Sequence, residues 1–159
     1  EANIDKTYFK AFIADIGLLM AMYPLSTSLE FLQENLDSRK GAIYENLLAT
    51  MINKSGLPLY YFSNGTDHLE IDFILENEKG IILVEEKSTN GKMAASRAIM
   101  EGRTKYKAEK CYKIIKENFG KGDFYTSVPH YAIAFLLNKI KENLEKGIQL
   151  KPLTYPLDD

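Results

Sequence analysis

Apolar residues recur along this chain with two different periods, and the change of period marks out its elements. Between about Arg39 and Lys54, Ile43, Tyr44, Leu47, Leu48, Met51 and Ile52 return at helical spacing, and Gly56 supplies the stop. Three strand-like runs follow: Leu59 to Ser63, Leu69 to Glu76 and Ile81 to Lys87. The last two are joined by Asn77-Glu78-Lys79-Gly80, a four-residue loop of turn-compatible residues that predicts a β-hairpin. Upstream, Thr7 to Ile16 reads as a short extended segment, Leu18 to Met22 as a helical turn stopped by Pro24, and Ser26 or Thr27 as the cap of a segment with Leu29, Leu32 and Leu36 on one side. Downstream, a polar helix is expected from about Met93 to Ala108. From Lys110 to Glu117 the pattern fits a helix through Ala108, Cys111, Tyr112, Ile115 and Phe119, and equally a strand through Tyr112 and Ile114. Pro129 stands at a favoured first helical position, opening a helix that runs to Gly147. Strands and helices mix without strict alternation, which predicts an α/β fold with a mixed sheet flanked by helices.

The hairpin carries more acid than a covered pair of strands tolerates. Setting Glu76 opposite Ile81 places Asp72 opposite Glu85 and Glu70 opposite Lys87, all four projecting from one face together with Ile74 and Leu83. The other face would carry Leu69, Ile71, Phe73 and Leu75 against Ile82 and Val84, so the hairpin is covered on both sides. Opposed like charges destabilise a sheet, and buried carboxylates need a counter-charge. Lys87 offsets one of them. The remainder is met either by a lattice of salt bridges or by a hard divalent cation, for which Asp72 and Glu85 are the candidate ligands. Glu45 borders the apolar stripe of its helix, sharing a side with Leu48 and Ile52, and is a third candidate.

Composition narrows the functional classes. With 159 residues, 45% hydrophobic and 26% charged, the chain is long enough to bury a core and is expected to form one domain over residues 1–159. A single Cys111 with only two histidines, His68 and His130, excludes the thiolate and imidazole zinc motifs. Cys111 reads as an inert core thiol, His68 as a loop histidine, and Tyr60, Tyr61 and Phe62 as sheet core rather than a base-stacking platform. No apolar run approaches the ~20 residues of a membrane helix, and no signal peptide is visible, so no membrane contact and a cytoplasmic location are expected. The net charge of −2 conceals an asymmetry: residues 1–86 carry 6 basic and 14 acidic side chains, and residues 87–121 carry 10 basic and 3 acidic. The basic stretch is a solvated face or a footprint for phosphates.

Glu45 on a leading helix, then Ile71-Asp72, twelve residues, and Glu85-Glu86-Lys87 resemble the active-site signature of the PD-(D/E)XK, restriction-endonuclease-like nucleases. More closely, the chain is similar to the domain of unknown function 4143, found after an AAA-type ATPase module in archaeal and bacterial ATPases. The segments that carry this likeness are Phe12-Ile13-Ala14-Asp15-Ile16-Gly17-Leu18-Leu19, Gly41-Ala42-Ile43-Tyr44-Glu45-Asn46, Leu59-Tyr60-Tyr61-Phe62, Glu70-Ile71-Asp72-Phe73-Ile74-Leu75, Glu85-Glu86-Lys87-Ser88 and Val128-Pro129-His130-Tyr131. The resemblance implies an α-β-β-β-α-β core in which Lys110 to Glu117 is a strand. It also implies Mg²⁺- or Mn²⁺-dependent hydrolysis of DNA, with Asp72, Glu85 and Glu45 at the metal and Lys87 as the catalytic lysine. Ile71 replaces the motif's proline, and the acidic Glu86 takes a position that is usually apolar, its side chain pointing away from Asp72 and Glu85. Lys92, Arg97, Arg103 and Lys105 follow the site closely and are the candidate contacts to the DNA backbone. No phosphate-binding loop is present, since Gly91-Lys92 lacks both the glycine-rich lead and the following hydroxyl residue, so an ATPase module is expected upstream of Glu1. The alternatives are a catalytically silent DNA-binding or assembly module of that ATPase, and a purely structural domain with internal ion pairs.

Overall fold

A computed structural model of the chain describes residues 9–33, 35, 39–64, 69–87 and 92–147. The helices are α1 Ile16–Ala21, α2 Leu25–Leu32, α3 Arg39–Lys54, α4 Ala94–Met100 and α5 Ile133–Gly147. The strands are β1 Tyr60–Asn64, β2 Leu69–Asn77, β3 Gly80–Glu86, β4 Lys110–Ile115, β5 Gly120–Lys121 and β6 Thr126–Pro129. One six-stranded mixed sheet has the order β1-β2-β3-β4-β6-β5. The β1/β2 and β2/β3 pairs are antiparallel, β3/β4 and β4/β6 parallel, and β5/β6 antiparallel.

Helices cover both faces. Leu48 and Ile52 of α3 and Ile133, Leu137 and Ile140 of α5 pack on Phe73, Leu75, Ile82 and Val84. On the opposite face Ala95 and Ile99 of α4, with Met93, pack on Ile71, Leu83 and Cys111. Every residue of β3 from Ile82 to Glu86 is buried, as a central strand with two covered faces requires. The hairpin has the register read from the pattern, Phe73 opposite Val84 through Glu76 opposite Ile81. The ladder continues one step further, to Asn77 opposite Gly80, so the connection is a two-residue turn rather than a four-residue loop. Asn77 Oδ1 accepts the N–H groups of Lys79 and Gly80 at 2.8 and 3.0 Å, and Gly80 takes φ +142°. The stretch 110–117, which periodicity left open, is a strand through Ile115, fixed by parallel pairing of Lys110–Ile114 with Ile82–Glu86.

Several local expectations are corrected. The helix expected over 93–108 ends at Met100. There Gly102, at φ +70°, donates to Ile99 O while Arg103 N–H donates to Ala98 O, the paired bonds of a Schellman stop. Pro129 closes β6 and a 3-10 turn, His130–Ala132, precedes α5. Residues 9–14 join no strand, and α1 starts at Ile16 with Asp15 capping Leu18 N–H at 3.0 Å. Helix α2 starts at Leu25, behind Pro24, so Ser26 and Thr27 lie inside its first turn. Thr27 is its buried residue, while Leu29 and Leu32 are exposed. Leu36 and His68 lie outside the described residues. The pre-helical segment is nevertheless anchored: Asn46 Oδ1 accepts Ile13 N–H at 2.8 Å and Asn46 Nδ2 donates to Ile13 O at 2.9 Å, a side-chain amide doing what a neighbouring strand would do.

Candidate functional site: two carboxylates and a lysine at a strand bulge

The geometry at Asp72 follows from a β-bulge. Tyr60 faces Ile74 and Phe62 faces Ile71, so one residue of β1 is opposed by two of β2, Asp72 and Phe73. Side-chain alternation breaks at that point. Phe73 and Leu75 enter the α3/α5 core, whereas Ile71 and Leu69 join the α4 side, correcting the single-face placement expected for all four. Glu70 is likewise turned away from Lys87, to which simple alternation would have opposed it, and bonds Lys10 instead.

The β2/β3 ladder ends at Phe73–Val84, and beyond it Asp72 Oδ2 accepts the backbone N–H of Glu86 at 2.8 Å. Lys87 Nζ then lies 3.3 Å from Asp72 Oδ2 and 3.0 Å from Glu85 Oε2, bridging the two carboxylates. Glu85 is 3% exposed at its side chain, against 15% for Asp72 and 20% for Lys87, so the acid pair runs from the interior to an accessible edge. The second oxygen of Glu85 accepts a short hydrogen bond from Ser96 Oγ on α4. Burial raises the Glu85 carboxyl above its ordinary range, opposed by Ser96 and by Lys87. Burial also works against the charge of Lys87, but Asp72 and Glu85 outweigh it and hold its pKa above that of a free lysine. Lys87 is therefore an ammonium at neutral pH, suited to stabilising negative charge rather than to removing a proton.

Glu45 is held elsewhere. Its carboxylate accepts from Lys10 Nζ at 2.9 Å, and the same ammonium lies 2.5 Å from Glu70 Oε1. Among the described residues no three His, Cys, Asp or Glu side chains gather into a group that could hold a metal. Asp72 and Glu85 alone still form a fitting donor set for a hard divalent cation. Both are carboxylates, they converge on one point that now holds positive charge, and Asp72 Oδ1 has no partner among the described residues.

Glu86 points to the other side of β3, as alternation requires, and its buried carboxylate lies 3.3 Å from His130 Nε2. His130 stacks on Tyr44 of α3 with ring centroids 4.2 Å apart. Neither this contact nor the role of Ser96 was visible in the sequence, because both depend on which helix packs over β3. Burial, with Glu85 nearby, pushes the Cys111 thiol up to about 12 despite the Ser96 hydroxyl beside it, leaving it protonated and unreactive.

The basic stretch does not form one helical face. Arg97 Nη1 lies 3.2 Å from Glu101 and Arg103 Nη2 2.6 Å from the same carboxylate, so two of the candidate phosphate contacts share one internal partner. Arg97 also lies over the Phe124 ring at 4.7 Å. Lys92 and Lys105 are exposed and make no ion pair among the described residues, and Lys105 lies over Tyr106 at 5.3 Å.

A mixed six-stranded sheet sandwiched by helices, with a lysine-bridged acid pair where its central hairpin opens, defines an α/β domain with a charged strand-end site. The model of the domain of unknown function DUF4143 matches residues 40–133, and the chain belongs to that family. No curated protein matches the chain, and no solved structure does. No helix among the described residues is long and apolar enough to cross a membrane.

Proposed function

We propose that the chain carries a divalent-metal-dependent phosphodiesterase of the PD-(D/E)XK type that acts on DNA. The observation that carries this reading is the convergence of Asp72 and Glu85 on Lys87 where β2 and β3 part. The order α3-β1-β2-β3-α4-β4 agrees with a restriction-endonuclease-like core, and Ile71-Asp72 and Glu85-Glu86-Lys87 with the signature. Asp72 and Glu85 would hold Mg²⁺ or Mn²⁺, which when bound polarises a phosphate oxygen and lowers the pKa of a bound water. Lys87, as an ammonium, stabilises the charge that develops on the phosphate, and Ser96 fixes the orientation of Glu85. Exposed Lys92 and Lys105 meet the flanking backbone. An AAA-type ATPase module of the same chain, in the cytoplasm, is the partner that the family resemblance suggests.

The test is incubation of labelled single-stranded, duplex and branched DNA with Mg²⁺ or Mn²⁺. Cleavage that stops with chelator and with Asp72→Asn is the expected result. One observation favours a second reading, a catalytically silent DNA-binding or assembly module: Lys87 already neutralises the acid pair, and Glu45 is engaged by Lys10. Absence of metal-dependent cleavage on all three substrates would select it.

A further inference from the structure

On the α4 side of the sheet, a cavity of about 260 Å³ opens between β1, β2, α4 and the segment that follows α4. Leu69, Ala95 and Ile99 supply apolar surface, the rings of Phe62 and Tyr106 line it, and Thr104 and Lys105 add the polar part. Two of its elements are those of the site. Leu69 shares β2 with Asp72, and Ala95 precedes Ser96, the residue bonded to Glu85. The cavity is smaller than the ~300–1,000 Å³ of drug-sized ligand pockets, a volume suited to one flat ring system rather than an extended ligand. Tyr106 is 40% exposed, so the cavity reaches solvent, and its ring meets Phe62 edge to face at 5.2 Å. Lys105 lies 5.3 Å over the Tyr106 ring, and among the described residues no acidic side chain lines the space. Aromatic surface and a lysine ammonium beside it match a nucleobase attached to a phosphate.

We propose that this cavity takes a single unstacked base of the DNA strand bound at Asp72 and Lys87, stacked on Tyr106, with Lys105 on the adjoining phosphate. The inference rests on the DNA reading above and adds to it a requirement for an unpaired nucleotide beside the scissile position. Such a base is available in single-stranded, frayed or branched DNA and absent from an intact duplex.

Binding is measured in chelator, where hydrolysis is stopped, with a single-stranded oligonucleotide carrying 2-aminopurine and with an abasic strand of the same length. The wild type should quench 2-aminopurine fluorescence and prefer the base-bearing strand. Tyr106→Ala should lose the quenching and bind that strand roughly tenfold more weakly while keeping its affinity for the abasic strand, and Tyr106→Phe should restore both properties. Tyr106→Ala matching the wild type on both strands would overturn the cavity as a base site and leave the DNA reading standing, as would an equal loss on both strands. Failure of the wild type to bind either strand would overturn the DNA reading and this inference together.

Discussion

Among the described residues two lysines each bridge two carboxylates, and they are built differently. Lys87 joins Asp72 and Glu85 at 3.3 and 3.0 Å, and Lys10 joins Glu45 and Glu70 at 2.9 and 2.5 Å. By distance alone the second group is the tighter. Its carboxylates are 27% and 53% exposed, however, and its lysine sits on a segment without regular structure. In the first group Glu85 is nearly sealed, Ser96 fixes one of its oxygens, a backbone N–H fixes Asp72, and both carboxylates stand on paired strands. The Lys10 group fastens the leading segment to α3 and β2, a surface latch whose charges water would otherwise solvate. The Lys87 group confines charge inside a rigid frame, where it costs stability and can act on a ligand. Short ion pairs therefore do not single out a candidate site, whereas burial and a further hydrogen bond to each carboxylate set the Lys87 group apart.

The largest expected contrast is in activity. Lys87→Ala should reduce metal-dependent DNA cleavage by about a hundredfold or more, the scale of losing one transition-state stabiliser. Lys10→Ala should leave kcat within about twofold, since it touches neither Asp72 nor Glu85. Equal losses in the two variants would mean that the two lysine groups serve the same end.

Stability should separate the groups next. Lys87→Met leaves Glu85 buried without its counter-charge and should cost about 3 kcal/mol in urea unfolding. Lys10→Met removes an accessible pair and should cost no more than about 1 kcal/mol. Melting with Mn²⁺ sharpens the point: the metal-induced rise should vanish in Asp72→Asn and persist in Glu45→Gln. A rise lost in Glu45→Gln would return that residue to the metal.

The pH dependence is smaller and has a definite sign. Burial raises the Glu85 pKa, so between its unfolded and folded values the native state binds more protons, and stability should fall as pH rises through that window. Glu85→Gln should flatten this limb. Burial opposes the charge of Lys87 and Lys10, but neighbouring carboxylates leave both pKa values raised. Their contributions are fully present below the ordinary lysine range and are lost as pH rises through the elevated values, so a second decline is expected at strongly alkaline pH. A melting temperature that shows the same pH dependence above the ordinary carboxylate range in wild type and in Glu85→Gln would contradict the first limb.

The smallest effect belongs to the basic stretch. Lys105→Gln should lower the slope of log affinity against log salt by about one unit, while Arg97→Gln and Arg103→Gln, already paired with Glu101, should change it less. Equal slopes in all three would mean that the Glu101 pairs open on binding.

Much of this arrangement was legible in the chain. Hairpin register follows from period-two patterning and a turn of Asn77 to Gly80, both local properties, and extending it past Phe73–Val84 pointed to Asp72, Glu85 and Lys87 as neighbours. The α3 helix, with its stop at Gly56, was equally plain, since φ +78° there is a backbone requirement that the residue type announces. Gly102 carried the same kind of signal for the end of α4, but polar residues on both sides of it fit a continuing helix, and only the observed bonds to Ile99 and Ala98 decide the stop.

Other features came only with the tertiary structure. The bulge at Asp72-Phe73 depends on how β1 pairs with β2, and it moved Leu69, Ile71 and Glu70 to faces that alternation assigns to their neighbours. Lys10 finds Glu45 across 35 positions, and Ser96 reaches Glu85 because α4 packs over β3. β4 is a strand because β3 offered it a parallel partner. Periodicity records what each residue needs from its immediate neighbours, so the sequence by itself determined α3, the hairpin and its register. Which distant side chain neutralises a charge, and where a ladder slips by one residue, is decided by packing between elements, and that information exists only once the sheet has assembled.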